Sequence, residues 1–127
     1  MKILTLVARI LLGLGFLIFG LNAFLHFIPG STMIPPGTAG HFSQAMADSS
    51  YDRAVAVFEV VAAVLLLVNR FVPVALVLLG PVLVNILLFH LLMMPATILP
   101  GLVFTLLWLI VFFAHRSSFA GIFQAKA

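Results

Sequence analysis

Few side chains in this sequence can do chemistry, and those that can are carried on segments that are otherwise aliphatic. Glu59 is the sharpest case, because it stands inside the apolar run YDRAVAVFEVVAAVLLLVNR, residues 51–70. A carboxyl at that depth in a bilayer costs ~2.5–3.5 kcal/mol on insertion scales, so it normally faces protein or a water-filled cavity and has a partner there. At about 100° per residue, Asp52, Val55, Glu59, Ala62, Ala63 and Leu66 share one stripe of a helix, while Arg53 points aside. The two alanines allow a neighbouring helix to come close. Two readings follow: Glu59 binds a ligand or handles a proton, or it is a neutral hydrogen-bonding group that only fixes helix register.

The other polar groups at comparable depth are Asn22, His26, Asn85, Thr105 and Trp108. Asn22 and His26 approach one end of the first apolar segment, just before Pro29 stops it. Asn85 stands at a depth within a few ångströms of Glu59, given about 1.5 Å of rise per residue. Thr105 and Trp108 fall in the middle of the last segment, where the indole either packs or walls a space for a flat molecule. The candidate ligand-binding set is therefore Glu59, Asn85, Asn22, His26, Trp108 and Thr105. An apolar chamber holding a carboxyl, two amides and a histidine suits a small apolar molecule with one or two oxygens, such as a quinone or phenol. The carbonyls of such a molecule need donors and its reduction takes up protons, which Glu59 can supply.

Other chemistries have less support. His26 and His90, on different helices, have the residue type for axial haem ligation, but both approach the membrane surface, which disfavours haem. His90 also lies roughly 140° around its helix from Asn85, which suits an interfacial histidine. His41 falls in a connecting loop and suits a solvated side chain. No spacing resembles a zinc or di-iron site, so no metal is expected. With no cysteine, the chain cannot itself run thiol exchange or ligate an iron–sulfur cluster through cysteine. No nucleophile with a base and an orienting acid can be argued, and catalytic residues stay unassigned.

The elements that must position these groups are membrane helices. Of 127 residues, 65% are hydrophobic and 7% charged, and mean hydropathy is +1.35, far from the ~25% charged residues of a soluble domain. Hydropathy divides the chain into four spans, about 10–28, 54–68, 72–94 and 97–114, within helices expected over about 3–28, 51–69, 72–94 and 97–115. The expected fold is an all-α integral membrane four-helix bundle forming a single domain over residues 1–127. The first segment is expected to be retained: its apolar run is long, and no small-x-small cleavage pattern precedes Pro29. Gly13, Gly15 and Gly20 follow no strand and suit close helix packing rather than a nucleotide loop.

Charge gives the topology. Lys2, Arg9, Arg70, Arg116 and Lys126 fall on one side of four spans and Arg53 on the other, so both termini are expected to be cytoplasmic. The basic residues are scattered at helix ends, which argues against nucleic acid as a partner. Residues 29–50 then form a long outer loop, with a short helix over about 38–47 that Thr38 can cap. That helix either covers the outer mouth or lies on the membrane surface as an anchor. Gly80 and Pro81 predict a kink in the third span, and residues 115–127 form a polar, mildly aromatic tail without a usable motif. The outer half collects the polar residues and the inner half is almost wholly aliphatic, which favours an outward-facing pocket over a through-channel.

The pattern resembles the DoxX-like family of small four-helix bacterial membrane proteins. It is carried by the opening RILLGLGFLIFGLNAF, by the loop before the second helix, by FEVVAAVLLLVNRFVPVALVLLGPVLVNILLFH, and by a last helix ending in a basic tail. Glu59 matches the glutamate that members commonly carry early in helix 2. Arg9 and Gly13 match the opening basic-then-glycine run, and Asn22 stands where many members have a basic or polar residue. The resemblance implies a multi-pass protein of the bacterial cytoplasmic (inner) membrane, linked in some members to quinone-dependent oxidoreductases and to sulfur or oxidative-stress metabolism. A separate oxidoreductase partner protein would then carry the catalysis, with a quinone as the implied cofactor and the lipid membrane and a small apolar ligand as the other partners. Two alternatives stand beside this accessory, ligand-binding role: a small proton-coupled transporter or exporter, for which a homo-oligomer is expected, and a structural scaffold without a ligand.

Overall fold

The computed structural model describes residues 2–30 and 33–125. Its helices are α1 (Lys2–Leu25), α2 (Gly37–Asp48), α3 (Tyr51–Leu67), α4 (Val72–Met93) and α5 (Leu99–Ala114), and no strand occurs among the described residues. A 3-10 turn, Pro95–Thr97, leads into α5, and a 3-10 helix, Arg116–Phe123, follows it. The expected all-α class is therefore found. α1 has 24 residues and α4 has 22, roughly 36 and 33 Å of rise. Both are long and apolar enough to cross a membrane. α3, with 17 residues, and α5, with 16, rise only about 25 Å each. α5 and the 3-10 helix after it together make a third candidate, bent by 86° at their junction.

Each of the four long helices packs on two others: α1 on α3 and α5, and α4 on α3 and α5. The α1–α3 contact is the most extensive and is antiparallel. The Arg9 guanidinium donates to the Leu66 carbonyl at one end, while Gly20 lies against Ala56 and Val60 at the other. Arg9 thereby supplies a donor to the orphan carbonyls that end α3. Gly13 and Gly20 are the reason the two helices can approach. A Cβ on Gly13 would come within 2.9 Å of Leu67 Cγ and 3.3 Å of the Ala63 carbonyl, and one on Gly20 within 2.8 Å of Val60 Cγ2. Their heptad spacing matches that of Ala56 and Ala63 on the facing helix, so small residues meet small residues at two levels.

The large buried side chains, Leu12, Phe16, Leu66, Leu76, Leu79 and Val111 among them, run from the end where α1 begins and α5 ends to about mid-depth. Phe112 ties the last 3-10 helix to that core, with its ring 4.9 Å from Phe119. Around the circumference Leu14, Ile18, Val61, Val77, Leu102 and Leu106 stay exposed, the apolar exterior that a hydrocarbon surrounding needs.

Four local details stand beside the sequence expectations. α1 stops at Leu25 rather than near 28: His26 turns into the left-handed region, φ 50°, and the Asn22 side-chain oxygen accepts from Ile28 N at 2.8 Å, capping the end. α2 begins after Pro36 without a side-chain cap, so Thr38 does not serve as one. α4 continues unbroken through Pro81. The tail carries a 3-10 helix anchored by Phe119.

Candidate functional site

Past mid-depth, toward α2, the large core residues give way to a cavity of about 1070 Å³. Its walls come from α3 and α4, its cover from α2, and one edge from the segment that follows α1. α3 contributes Tyr51, Asp52, Val55, Phe58 and Glu59, and of these Asp52, Val55 and Glu59 are the first half of the stripe whose second half, Ala62, Ala63 and Leu66, is fully buried. One helix face thus changes from core to cavity wall at Glu59.

α4 contributes Leu78, Pro81, Val82, Asn85, Ile86, Phe89 and His90. Asn85 and His90, about 140° apart, are the two edges of one broad arc centred near Val82 and Phe89, so both border the same space. α2 is held over it by Phe42, whose ring lies 5.5 Å from that of Phe89, and it turns Ser43, Gln44 and Met46 toward the cavity. Phe58 and Asn85 line the cavity and are also exposed, so it is open along the α3–α4 flank.

The polar side chains differ in how far they are already engaged. Asn85 Nδ2 donates to the Pro81 carbonyl at 2.8 Å, and His90 Nδ1 lies 2.8 Å from the Ile86 carbonyl. Both are turn-to-turn bonds within α4, a common way to satisfy polar groups on an apolar helix. Asp52 accepts from Arg53 N at 2.7 Å, and the Arg53 guanidinium donates to Ser50 Oγ. The Glu59 carboxyl, half-buried, has no hydrogen-bond or ion-pair partner among the described residues, and its oxygens are open to the cavity. His26 sits at the edge in the left-handed region, φ 50°, the usual conformation of the residue just past a helix end.

Of the six residues singled out by sequence, the cavity gathers three: Glu59, Asn85 and His26. Asn22 is not among its lining residues, since its side-chain oxygen is spent on Ile28 N. Thr105 and Trp108 lie on a separate hollow of about 200 Å³ with Gly80, Leu83, Val84 and Leu87. There Thr105 Oγ1 donates to its own helix at Gly101, 2.7 Å away. Trp108 Nε1 donates to the Leu76 carbonyl at 3.0 Å, tying α5 to α4, and its ring stacks on Phe112 at 5.1 Å.

Asp52, His90, Phe42, Phe58 and Phe89 line the cavity without having been chosen as site residues from the sequence. For Asp52 the signal was present in the shared stripe with Glu59. The Phe42–Phe89 contact joins two segments far apart in the chain and leaves no local sign. No group of three or more His, Asp or Glu able to hold a metal occurs among the described residues. No family model, curated protein or solved structure matches this chain.

Proposed function

We propose that this chain is a multi-pass membrane protein that holds a small, flat, largely apolar molecule bearing oxygen, of the quinone or phenol kind, in the cavity beneath α2. The observation that carries the reading is the Glu59 carboxyl: inside an apolar helix, open to a cavity of ligand size, and without an intramolecular partner among the described residues. Such a group is expensive to keep in a membrane unless something uses it. A volume of about 1070 Å³ is at the upper end of small-molecule sites, and walls of Val, Leu, Ile and Phe with a few polar groups are their usual composition.

In this reading α1, α3, α4 and α5 all cross the bacterial cytoplasmic membrane as a four-helix bundle, with both termini cytoplasmic and α2 on the outer side. The shorter α3 and α5 are accommodated by local thinning of the bilayer and snorkelling of flanking residues, which cost fractions of a kcal/mol per ångström. The resemblance to the DoxX-like family supports an accessory role beside a membrane oxidoreductase, with Glu59 as proton-handling or hydrogen-bonding group. The buried leucines and valines filling the end opposite α2 favour a binding site closed at one end over a transport path.

The test is extraction and mass spectrometry of small molecules that co-purify with the solubilised protein, comparing wild type with Glu59→Gln. Recovery of an oxygen-bearing apolar molecule from wild type and its loss from the variant is the expected outcome. Two empty, equally stable proteins overturn the reading and leave the scaffold alternative.

A further inference from the structure

The polar atoms that α3 and α4 leave free in the cavity are mostly hydrogen-bond acceptors. Asn85 spends an amide hydrogen on the Pro81 carbonyl, which leaves its oxygen and one N–H for a ligand. The Ile86 carbonyl beside His90 Nδ1 can only accept, so Nδ1 carries the hydrogen and, in the neutral ring, Nε2 presents a lone pair. Asp52 receives the Arg53 N–H on one oxygen and has the other free. Glu59 keeps at least one accepting oxygen in either protonation state and, when neutral, adds one O–H.

Donors are scarce. Among the described residues no lysine or arginine lines the cavity. The hydroxyls of Ser43, Ser49 and Tyr51 belong to α2 and the start of α3, and Ser49 already donates to the Met46 carbonyl at 3.3 Å. Gln44 spends one amide hydrogen on Asp48 Oδ1 at 2.6 Å and keeps one N–H and its oxygen, an even balance. His26 offers one N–H and one lone pair, which does not tip the balance.

We infer that the cavity chooses its ligand by hydroxyl hydrogens: the preferred occupant is the phenol or hydroquinone form of a flat apolar molecule, and the carbonyl form is disfavoured. This rests on the ligand-binding reading above and reverses the donor requirement that a bound quinone would impose. A ligand hydroxyl satisfies an acceptor on α3 or α4 and keeps an oxygen lone pair for the remaining Asn85 N–H. A carbonyl in the same place sets lone pair against lone pair and leaves both desolvated and unpaired. Sites built to pair with a ligand O–H discriminate strongly against the analogue that lacks it.

The experiment uses the full chain in lipid nanodiscs under anaerobic conditions, with empty nanodiscs as the partition control. Three probes are titrated calorimetrically: tert-butylhydroquinone, the corresponding benzoquinone, and the dimethyl ether of the hydroquinone. The absence of cysteine removes thiol addition as a complication for the quinone. The hydroquinone is expected to bind about tenfold or more tightly than either other probe. Equal or tighter binding of the quinone overturns the inference and leaves the cavity reading standing, whereas no binding by any probe overturns both.

Glu59→Gln, which adds amide donors, is expected to weaken the hydroquinone enough to lose it during purification and to bring the titrated hydroquinone-to-quinone ratio toward one. Asn85→Leu, exposed and tolerant of an apolar side chain, is expected to weaken the hydroquinone several-fold. A ratio unchanged in both folded variants overturns the assignment of selectivity to these acceptors.

Discussion

The two ends of the molecule are built from the same four long helices and have opposite contents. Toward the termini, α1, α3, α4 and α5 meet through Leu12, Phe16, Leu66, Leu76, Leu79 and Val111, and nothing polar is buried there. Toward α2, the residues buried on these helices are small, Gly20, Ala56 and Gly101, and the remaining space is the cavity. The cavity does not arise for want of hydrophobic residues, since the same half of α4 carries Val82, Val84, Ile86, Leu87, Leu88 and Phe89. What differs is where the bulky side chains point. Phe58 and Asn85 face the cavity or its open flank, and α2 bridges over the top through Phe42 and Phe89. One end is specialised for cohesion, and the other keeps a volume that the fold does not fill.

The comparison can be broken most directly at the packed end. Leu76 is fully buried between α4 and α5, so Leu76→Ala is expected to cost about 2–5 kcal/mol of stability through lost burial and a residual void. Thermal unfolding in detergent measures the loss, while the ligand recovered per folded molecule should stay unchanged. A loss of ligand from the folded fraction would show that the two ends are not independent.

Gly20→Val probes the boundary. It places methyl groups against Val60 and close to Glu59 Cβ, 3.4 Å from the Cβ built on Gly20, and is expected to cost about 1–3 kcal/mol by forcing α1 from α3. Because that contact borders Glu59, stability and ligand recovery should fall together, and a change in stability alone would separate the helix contact from the site.

Asn22→Ala removes the acceptor for Ile28 N and is expected to cost about 1 kcal/mol. Its signature is local: faster amide exchange over residues 26–28, with the protection of α4 unaffected. The smallest effect on stability is expected for Glu59→Leu, within about 0.5 kcal/mol of wild type or slightly stabilising, because an unpartnered carboxyl is replaced by an apolar group. Ligand recovery should nevertheless be abolished. A destabilisation comparable to that of Leu76→Ala would make Glu59 part of the cohesive framework.

Much of the helical order was legible in the sequence because apolar run length and proline placement are local properties. Pro73 in the first turn of α4, Pro95 after its end and the short turn after Leu67 bound the helices to within a few residues. The early end of α1 was not legible, since it depends on an asparagine side chain reaching a backbone N–H six residues on. Of the candidate site, Glu59, Asn85 and His26 could be grouped by depth, but depth says nothing about azimuth between helices. Thr105 and Trp108 have the right depth and stand on the far side of α4, on their own hollow. His90 was set aside on a helix-wheel angle that is correct, but the cavity-facing arc of α4 is wide enough to include it.

The sequence by itself determined that this chain makes apolar helices, that a carboxyl stands within one of them, and that glycines on one helix and alanines on another allow close packing. These follow from residue type and periodicity along a single helix, where 1.5 Å of rise and 100° of rotation per residue fix relative position. Tertiary structure alone decided which polar groups share a space, which are spent on their own backbone, and that α2 closes over Glu59 rather than lying apart. Those outcomes depend on how helices are rotated and docked against one another. In so uniformly apolar a sequence many rotations bury similar area, and a few glycines, one tryptophan N–H and one phenylalanine pair set the one observed here.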